Sequence, residues 1–229
     1  MQKTPTVKMP SSFSVEKAHR TQEMLSERVI RKNLLPKKIK YVAGVDVAYF
    51  KRFSIGAVTI LDFKSLSLKE AKTAICKTRF PYIPTLLSFR EIPPIASAIR
   101  RLKLEPDVFL VDGQGIMHPY RLGFASHLGL IIAKPTIGVA KSPLCGEIQT
   151  FEKDGWAPIL DKDEVIGAAV LTKKGRNQVY VSIGNMVSLK TAIAIVKHCT
   201  LAHAIPEPTR QAHIIATSEK RKIQNTLSH

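Results

Sequence analysis

The stretch YVAGVDVAYF, Tyr41 to Phe50, decides the fold. Valines and aromatics dominate it, so it reads as a strand. Side chains alternate across a strand, which puts Asp46 on one face with Gly44 and Ala48 and sets Val45 and Val47 on the other. An aspartate in the middle of such a strand has poor β-propensity and a high desolvation cost. It either faces water on a half-exposed sheet or serves as a metal ligand. Small neighbours at Gly44 and Ala48 would leave room for a substrate backbone beside it.

Downstream, SIGAVTILDF (54–63) and SLKEAKTAICKTRF (67–80) read as two further strands, with short polar connections suited to antiparallel neighbours. DVFLVDG (107–113) is apolar until its end, as a central strand buried on both faces would be. Helical segments flank it: 91–104, whose prolines fit only in a first turn, and FASHLGLIIA (124–133). PTIGVA (135–140) is a short buried strand, and EVIGAAVLTKK with NQVYVSIG reads as a hairpin around Lys174, Gly175, Arg176 and Asn177. A last helix follows from its N-cap at Ser188. Upstream, 14–32 is an amphipathic helix with Ser14 as N-cap and an apolar stripe of Val15, Ala18, Met24, Leu25 and Val29. The order predicts an α/β fold: a mixed sheet of three antiparallel strands and then parallel ones, flanked by helices. That is the ribonuclease H-like plan, in which the fourth strand lies beside the first so that their acids can meet. A single domain over 1–229 is expected, with a polar, flexible tail over 217–229.

Lys and Arg number 35 against 18 acids, a net charge of +17, which is the footprint of a polyanion partner. Three scattered cysteines suit neither a disulfide framework nor a zinc site and imply free thiols in a reducing compartment. No apolar run reaches the length of a membrane span and the N-terminus lacks a signal-peptide core, so a soluble, cytoplasmic protein with no membrane partner is expected.

Asp112 ends its strand ahead of Gly113, Gln114 and Gly115, a place where α/β sheets bind ligands, although Asp-Gly is also a common turn pair. Asp46 and Asp112 on adjacent strands, joined by Glu91, would make a cluster of hard oxygen ligands suited to Mg²⁺ or Mn²⁺. Such an ion polarises a phosphodiester and lowers the pKa of a bound water. His118, on the loop leaving the acid strand, is placed to contact phosphate or water, although lone histidines are most often structural. Lys141 ends its strand as a cation able to offset phosphate charge, or as one exposed lysine among many.

PYIPTLLSFREIPP (81–94) poses its own question, since two prolines stiffen Tyr82 and Ile83 and rule out an internal strand. With VAGVDVAY, DVFLVDGQGIMHPYRLGFASHLGL, PTIGVAKSPLCG, VYVSIGNMVSLKTAI and PEPTRQAH it carries a resemblance to the endonuclease V family, in order from about Tyr41 to His213. The resemblance implies a ribonuclease H-like fold and Mg²⁺-dependent hydrolysis, with Mn²⁺ as a substitute. It further implies a DNA repair endonuclease that cuts the second phosphodiester 3′ to a deaminated purine, chiefly deoxyinosine, leaving a 3′-hydroxyl and a 5′-phosphate. By the same resemblance Asp46 and Asp112 are metal-binding aspartates, Glu91 a third catalytic acid that joins them at the metal, His118 and Lys141 active-site basic residues, and His213 a further member of the metal shell. Pro81, Tyr82, Ile83 and Pro84 match the strand-separating wedge, whose aromatic stacks where the flipped base had been. Leu87, Gly113, Gly123, Gly138, Val139 and Ala140 match a lesion-base pocket lined largely by main chain, where an amide donor would face O6 of hypoxanthine.

Three positions depart from the family pattern. Thr85 stands where many members have glycine, Asn185 stands in place of a glycine-histidine version, and His213 occupies a position that is often acidic or histidine. Other readings remain: cleavage of inosine-containing RNA, another ribonuclease H-like nuclease such as a junction resolvase, and a nucleic-acid-binding protein without catalysis. The intact acids argue against the last. A monomer is expected.

Overall fold

A computed structural model describes residues 13–173, 175 and 177–226. Helix α1 (Val15–Ser26) precedes a meander of β1 (Tyr41–Phe50), β2 (Phe53–Asp62) and β3 (Leu68–Lys77). Then come α2 (Leu87–Ile99), β4 (Val108–Asp112), α3 (Phe124–Ile132), β5 (Thr136–Ala140) and β6 (Glu147–Ile148). The chain closes with β7 (Trp156–Asp161), β8 (Glu164–Val170), β9 (Val179–Asn185), α4 (Leu189–His198) and α5 (Glu207–Thr226). The strands form one sheet in the order β3-β2-β1-β4-β5-β9-β8-β7-β6.

The centre of the sheet follows the expected plan. β1 pairs antiparallel with β2 and parallel with β4, with Val45 opposite Val111, so Asp46 and Asp112 are the next residues along two adjacent strands. Alternation along β1 is visible in the packing. Ala43 and Val45 join Ile95, Ala98, Phe124 and Leu128 under α2 and α3, whereas Val42 joins the opposite cluster with Leu61, Ile193 and Val196.

Several expectations give way to tertiary packing. The second helix begins at Leu87, so Pro93 and Pro94 sit beyond its first turn, where they leave the carbonyls of Phe89 and Arg90 without a helical donor. Burial of Ser88, Arg90, Glu91, Ile95 and Ala98 supports the early start, and Pro94 lies so close to β2 that a side chain at Gly56 would come within 2.7 Å of its carbonyl carbon. The segment expected to fray as a tail belongs to α5 up to Thr226, while 227–229 lie outside the described residues. α5 packs on β1 and β2 through small residues (Pro208, Thr209, Ala212, Ala216), a face too sparse in large apolar groups to read as periodicity. Gly44 leaves room for this helix and not for substrate: a Cβ there would lie 1.9 Å from the Pro208 carbonyl oxygen.

The first helix is shorter than expected, and its buried face is Ala18 and Gln22, with Val15 and Met24 exposed. β6 and β7, unassigned from sequence, extend the sheet beyond β8. β8 and β9 do pair as a hairpin, though Lys174 and Arg176 of its turn lie outside the described residues. Cys76, Cys145 and Cys199 are free thiols, and no helix among the described residues is long and apolar enough to cross a membrane.

Candidate active site

The middle of β1 and the carboxyl end of β4 carry a group of metal-ligating atoms. One ligand atom each from Asp46, Asp112 and His213 lies within 4.8 Å of the others. His213 arrives on α5, whose register is fixed by the fit of Pro208 against Gly44 and by the Thr59 hydroxyl, which donates to the Pro208 carbonyl at 3.0 Å. Its Nδ1 stands 2.8 Å from Asp46 Oδ2. From the other side Lys141 Nζ donates to Asp112 Oδ2 at 3.0 Å. Two carboxylates and an imidazole make a donor set that suits a divalent cation.

Glu91 stands beside this group without joining it. It is buried on α2, and the Tyr49 hydroxyl donates to its Oε1 at 3.1 Å. Burial, reinforced by the negative charge of Asp46, pushes its carboxyl up to about 8, and Asp112 is raised for the same two reasons. Buried carboxyls raised beside another acid mark a surplus of negative charge, the electrostatic signature of a place where a cation fits. Arg90 lies 4.2 Å over the Tyr49 ring, and burial drives the Tyr49 phenol up. Burial and the Glu91 carboxyl keep the hydroxyl protonated, and it is turned to Glu91.

A cavity of about 320 Å³ opens next to the acids, walled by the proline loop, Leu87, Ser88, Gly113, Gly123, Ala140 and Asp112 itself. Tyr82 is 62% exposed at its rim, as two flanking prolines had suggested. Of the six pocket residues expected from sequence, Gly138 and Val139 are not on the wall. Val139 is a core residue, and Gly138 supports the wall from behind, since a Cβ there would meet the Gly115 amide nitrogen at 2.4 Å. The amides of Gly113, Gly115 and Gly123 are already spent on the Val139 carbonyl, the Ser182 hydroxyl and the Gly115 carbonyl. Free donors are found instead in the first turn of α2 at Leu87 and Ser88, which has no side-chain cap.

His118 lines the cavity, with its ring turned to the proline loop. It is 3% exposed, its Nδ1 accepts from the Tyr120 amide at 3.2 Å, and its Nε2 therefore donates to the Thr85 carbonyl at 3.0 Å. Burial pushes it down to about 4, so the ring is neutral, and both nitrogens are used inside the protein. It braces the proline loop. Thr85, noted from sequence as a replacement for glycine, has φ +72, the left-handed region in which a β-branched residue is strained. Asn185 has a structural role, accepting from the Ile30 amide at 3.0 Å and donating to the Gly129 carbonyl at 3.2 Å. Two contributors escaped sequence reading, Gln22 and Tyr49. A polar residue at the spacing of the buried stripe was the available signal for Gln22.

The endonuclease V family model matches residues 23–214, which contain every one of these groups except those of α1 before Glu23. The chain belongs to the endonuclease V family. Endonuclease V of Thermofilum pendens is 44% identical over 215 residues, covering 93% of this chain and 92% of that one. The crystal structure of Streptomyces avermitilis endonuclease V superimposes with a TM-score of 0.86 at 35% identity, over 96% of this chain and 100% of that one. Ciona intestinalis endonuclease V, solved with a 24mer DNA containing an inosine followed by a ribo-adenosine, gives 0.82 at 33% identity over 91% and 98%. The fold is thus the ribonuclease H-like fold of endonuclease V, and the protein is a nuclease of that family.

Proposed function

We propose that this endonuclease V acts on DNA containing deaminated purines, chiefly deoxyinosine, and hydrolyses the second phosphodiester 3′ to the lesion, leaving a 3′-hydroxyl and a 5′-phosphate. The observation that carries this reading is the double membership of Asp112, which belongs to the metal-ligating group and also lines the cavity under the proline loop. A base held in that cavity would bring its own strand across the acids.

In this reading Asp46, Asp112 and His213 hold a divalent ion, Mg²⁺ or Mn²⁺, which when bound polarises the phosphodiester and acidifies a water. Glu91, raised to about 8, is poised to hold or accept a proton beside that water, oriented by the Tyr49 hydroxyl. Lys141, at the mouth of the cavity, is free to turn from Asp112 to a phosphate oxygen. Tyr82 takes the place of the flipped base, and the uncapped first turn of α2 offers amides to O6 of hypoxanthine.

The test is a labelled duplex carrying one deoxyinosine beside its undamaged twin, with Mg²⁺, comparing the wild type with Asp46→Ala. A nick confined to the inosine strand, one nucleotide beyond the lesion and lost in the variant, supports the proposal. The Ciona complex carries a ribonucleotide directly after its inosine. Inosine-containing RNA is therefore run in parallel, and its exclusive cleavage would move the substrate to RNA. Binding without cleavage of either would overturn the catalytic reading.

A further inference from the structure

The proline loop is held by side chains from an element far away in sequence. Thr85 follows Pro84 directly and carries the strained φ of +72. Its carbonyl accepts two hydrogen bonds, from Gln22 Nε2 at 2.8 Å and from His118 Nε2 at 3.0 Å. Its hydroxyl donates to the Pro84 carbonyl and stands 2.9 Å from His19 Nε2. His19 Nε2 and the Thr85 hydroxyl share a hydrogen bond, so a chain of contacts runs from His19 through Thr85 to the last proline of the loop. The His19 ring is itself fixed by stacking on Tyr120 at 4.0 Å, and Gln22, fully buried, also donates to the Leu122 carbonyl at 3.1 Å. Gln22 Oε1 has no partner among the described residues, so the amide is kept buried for its donors alone.

From these contacts we infer that His19 and Gln22 on α1 form a latch on Thr85 that sets the proline loop over the cavity and presents Tyr82 for insertion into a duplex. They are positioning residues, and their effect falls on the step that opens paired DNA. The physical reason is the strain. A β-branched residue at positive φ stays there only when its surroundings over-determine it, and the four bonds to Thr85 do so. Without the latch the loop relaxes and Tyr82 loses its fixed position at the rim. A strand that is already single needs no wedge and is affected less.

The inference rests on reading residues 81–84 as the wedge, so the test separates the two. His19, half-buried, is chosen for substitution because removing the fully buried Gln22 endangers folding. Hydrogen exchange of the Tyr82, Ile83, Thr85 and Leu86 amides reads the latch without any substrate. It is expected to speed up in His19→Ala and to return towards wild type in His19→Gln, whose side-chain amide can reach the Thr85 hydroxyl. Single-turnover nicking is then measured on deoxyinosine in duplex and in single-stranded DNA. The duplex-to-single-strand ratio is expected to fall about ten-fold in His19→Ala, the scale of one or two lost hydrogen bonds, and to recover in His19→Gln. Unchanged exchange overturns the latch. Faster exchange with an unchanged ratio, or equal losses on both substrates, overturns its role in positioning. Faster exchange in a protein whose wild type cuts neither substrate keeps the latch and overturns the inosine reading alone.

Discussion

The acid end of the sheet and the proline loop lie side by side and are held by different means. Asp46 and Asp112 stand on β1 and β4, whose parallel register is fixed by a backbone ladder in the middle of a nine-stranded sheet. Tyr82 stands on a loop with no ladder, and its flank at Thr85 is secured by side chains of His19, Gln22 and His118. Rigid strands suit groups that must keep sub-ångström geometry around an ion. A loop tied at a few points suits a group that has to enter a stacked helix, because such a loop can yield and return. On the proposed function, chemistry and base recognition would rest on separate parts of the molecule that meet at Asp112.

The largest effect should come from the strand end. Asp112→Asn keeps size and register while removing a charge from the metal group, and single-turnover nicking should fall at least about a thousand-fold. A residual rate close to wild type would show that the ion is not held there. Next, Gly44→Ala places a methyl group against the Pro208 carbonyl and should push α5 outward. Overpacking of this kind costs about 1–3 kcal/mol. Thermal unfolding reads that loss, and calorimetric titration with Mn²⁺ should show weaker binding in the same variant, because His213 moves with its helix. Stability lost with metal affinity intact would remove His213 from the metal group.

On the loop, Tyr82→Ala should leave the melting temperature alone, since the ring is 62% exposed. Loss of one stacking contact, worth about 1–3 kcal/mol, should weaken binding to a deoxyinosine duplex by roughly ten- to a hundred-fold. Equal binding by both proteins would break the contrast between the regions, because the loop would then contribute nothing to recognition.

The smallest expected effect is a pair of opposite pH slopes. Glu91 in the folded, metal-free protein holds its proton up to about 8, whereas the unfolded chain releases it near the ordinary 4.5. Between those values the native state binds more protons, so stability should decline as pH rises, and Glu91→Gln should flatten the decline. His118 is pushed down from 6.5 to about 4, as His127 is, so the unfolded chain binds protons first and stability should be lost as pH falls through that window. Denaturant unfolding at a series of pH values measures both. The two windows overlap between 4.5 and 6.5, so each slope is read as the difference between the wild type and Glu91→Gln or His118→Gln, and a difference of the opposite sign would contradict the burial assigned to that group.

Much of this protein was determined by sequence alone. An aspartate among valines, a second at the end of an apolar run, and a meander before the first crossover were enough to set the fourth strand beside the first and to bring Asp46 beside Asp112, because strand alternation and right-handed crossovers leave few alternatives. The same local reasoning placed Tyr82 in solvent, since prolines on both sides bar it from a ladder. Only the tertiary structure decided the rest. α5 is helical where its composition suggested a tail, because small residues at Pro208, Thr209, Ala212 and Ala216 match the groove above Gly44, and a fit between surfaces has no local signature. The His118 ring is bonded between the Tyr120 amide and the Thr85 carbonyl, partners that only the folded loop brings to it. The latch joins residues 19 and 22 to residue 85, and a hydrogen bond across that separation depends on where two elements come to rest, which periodicity and propensity do not encode.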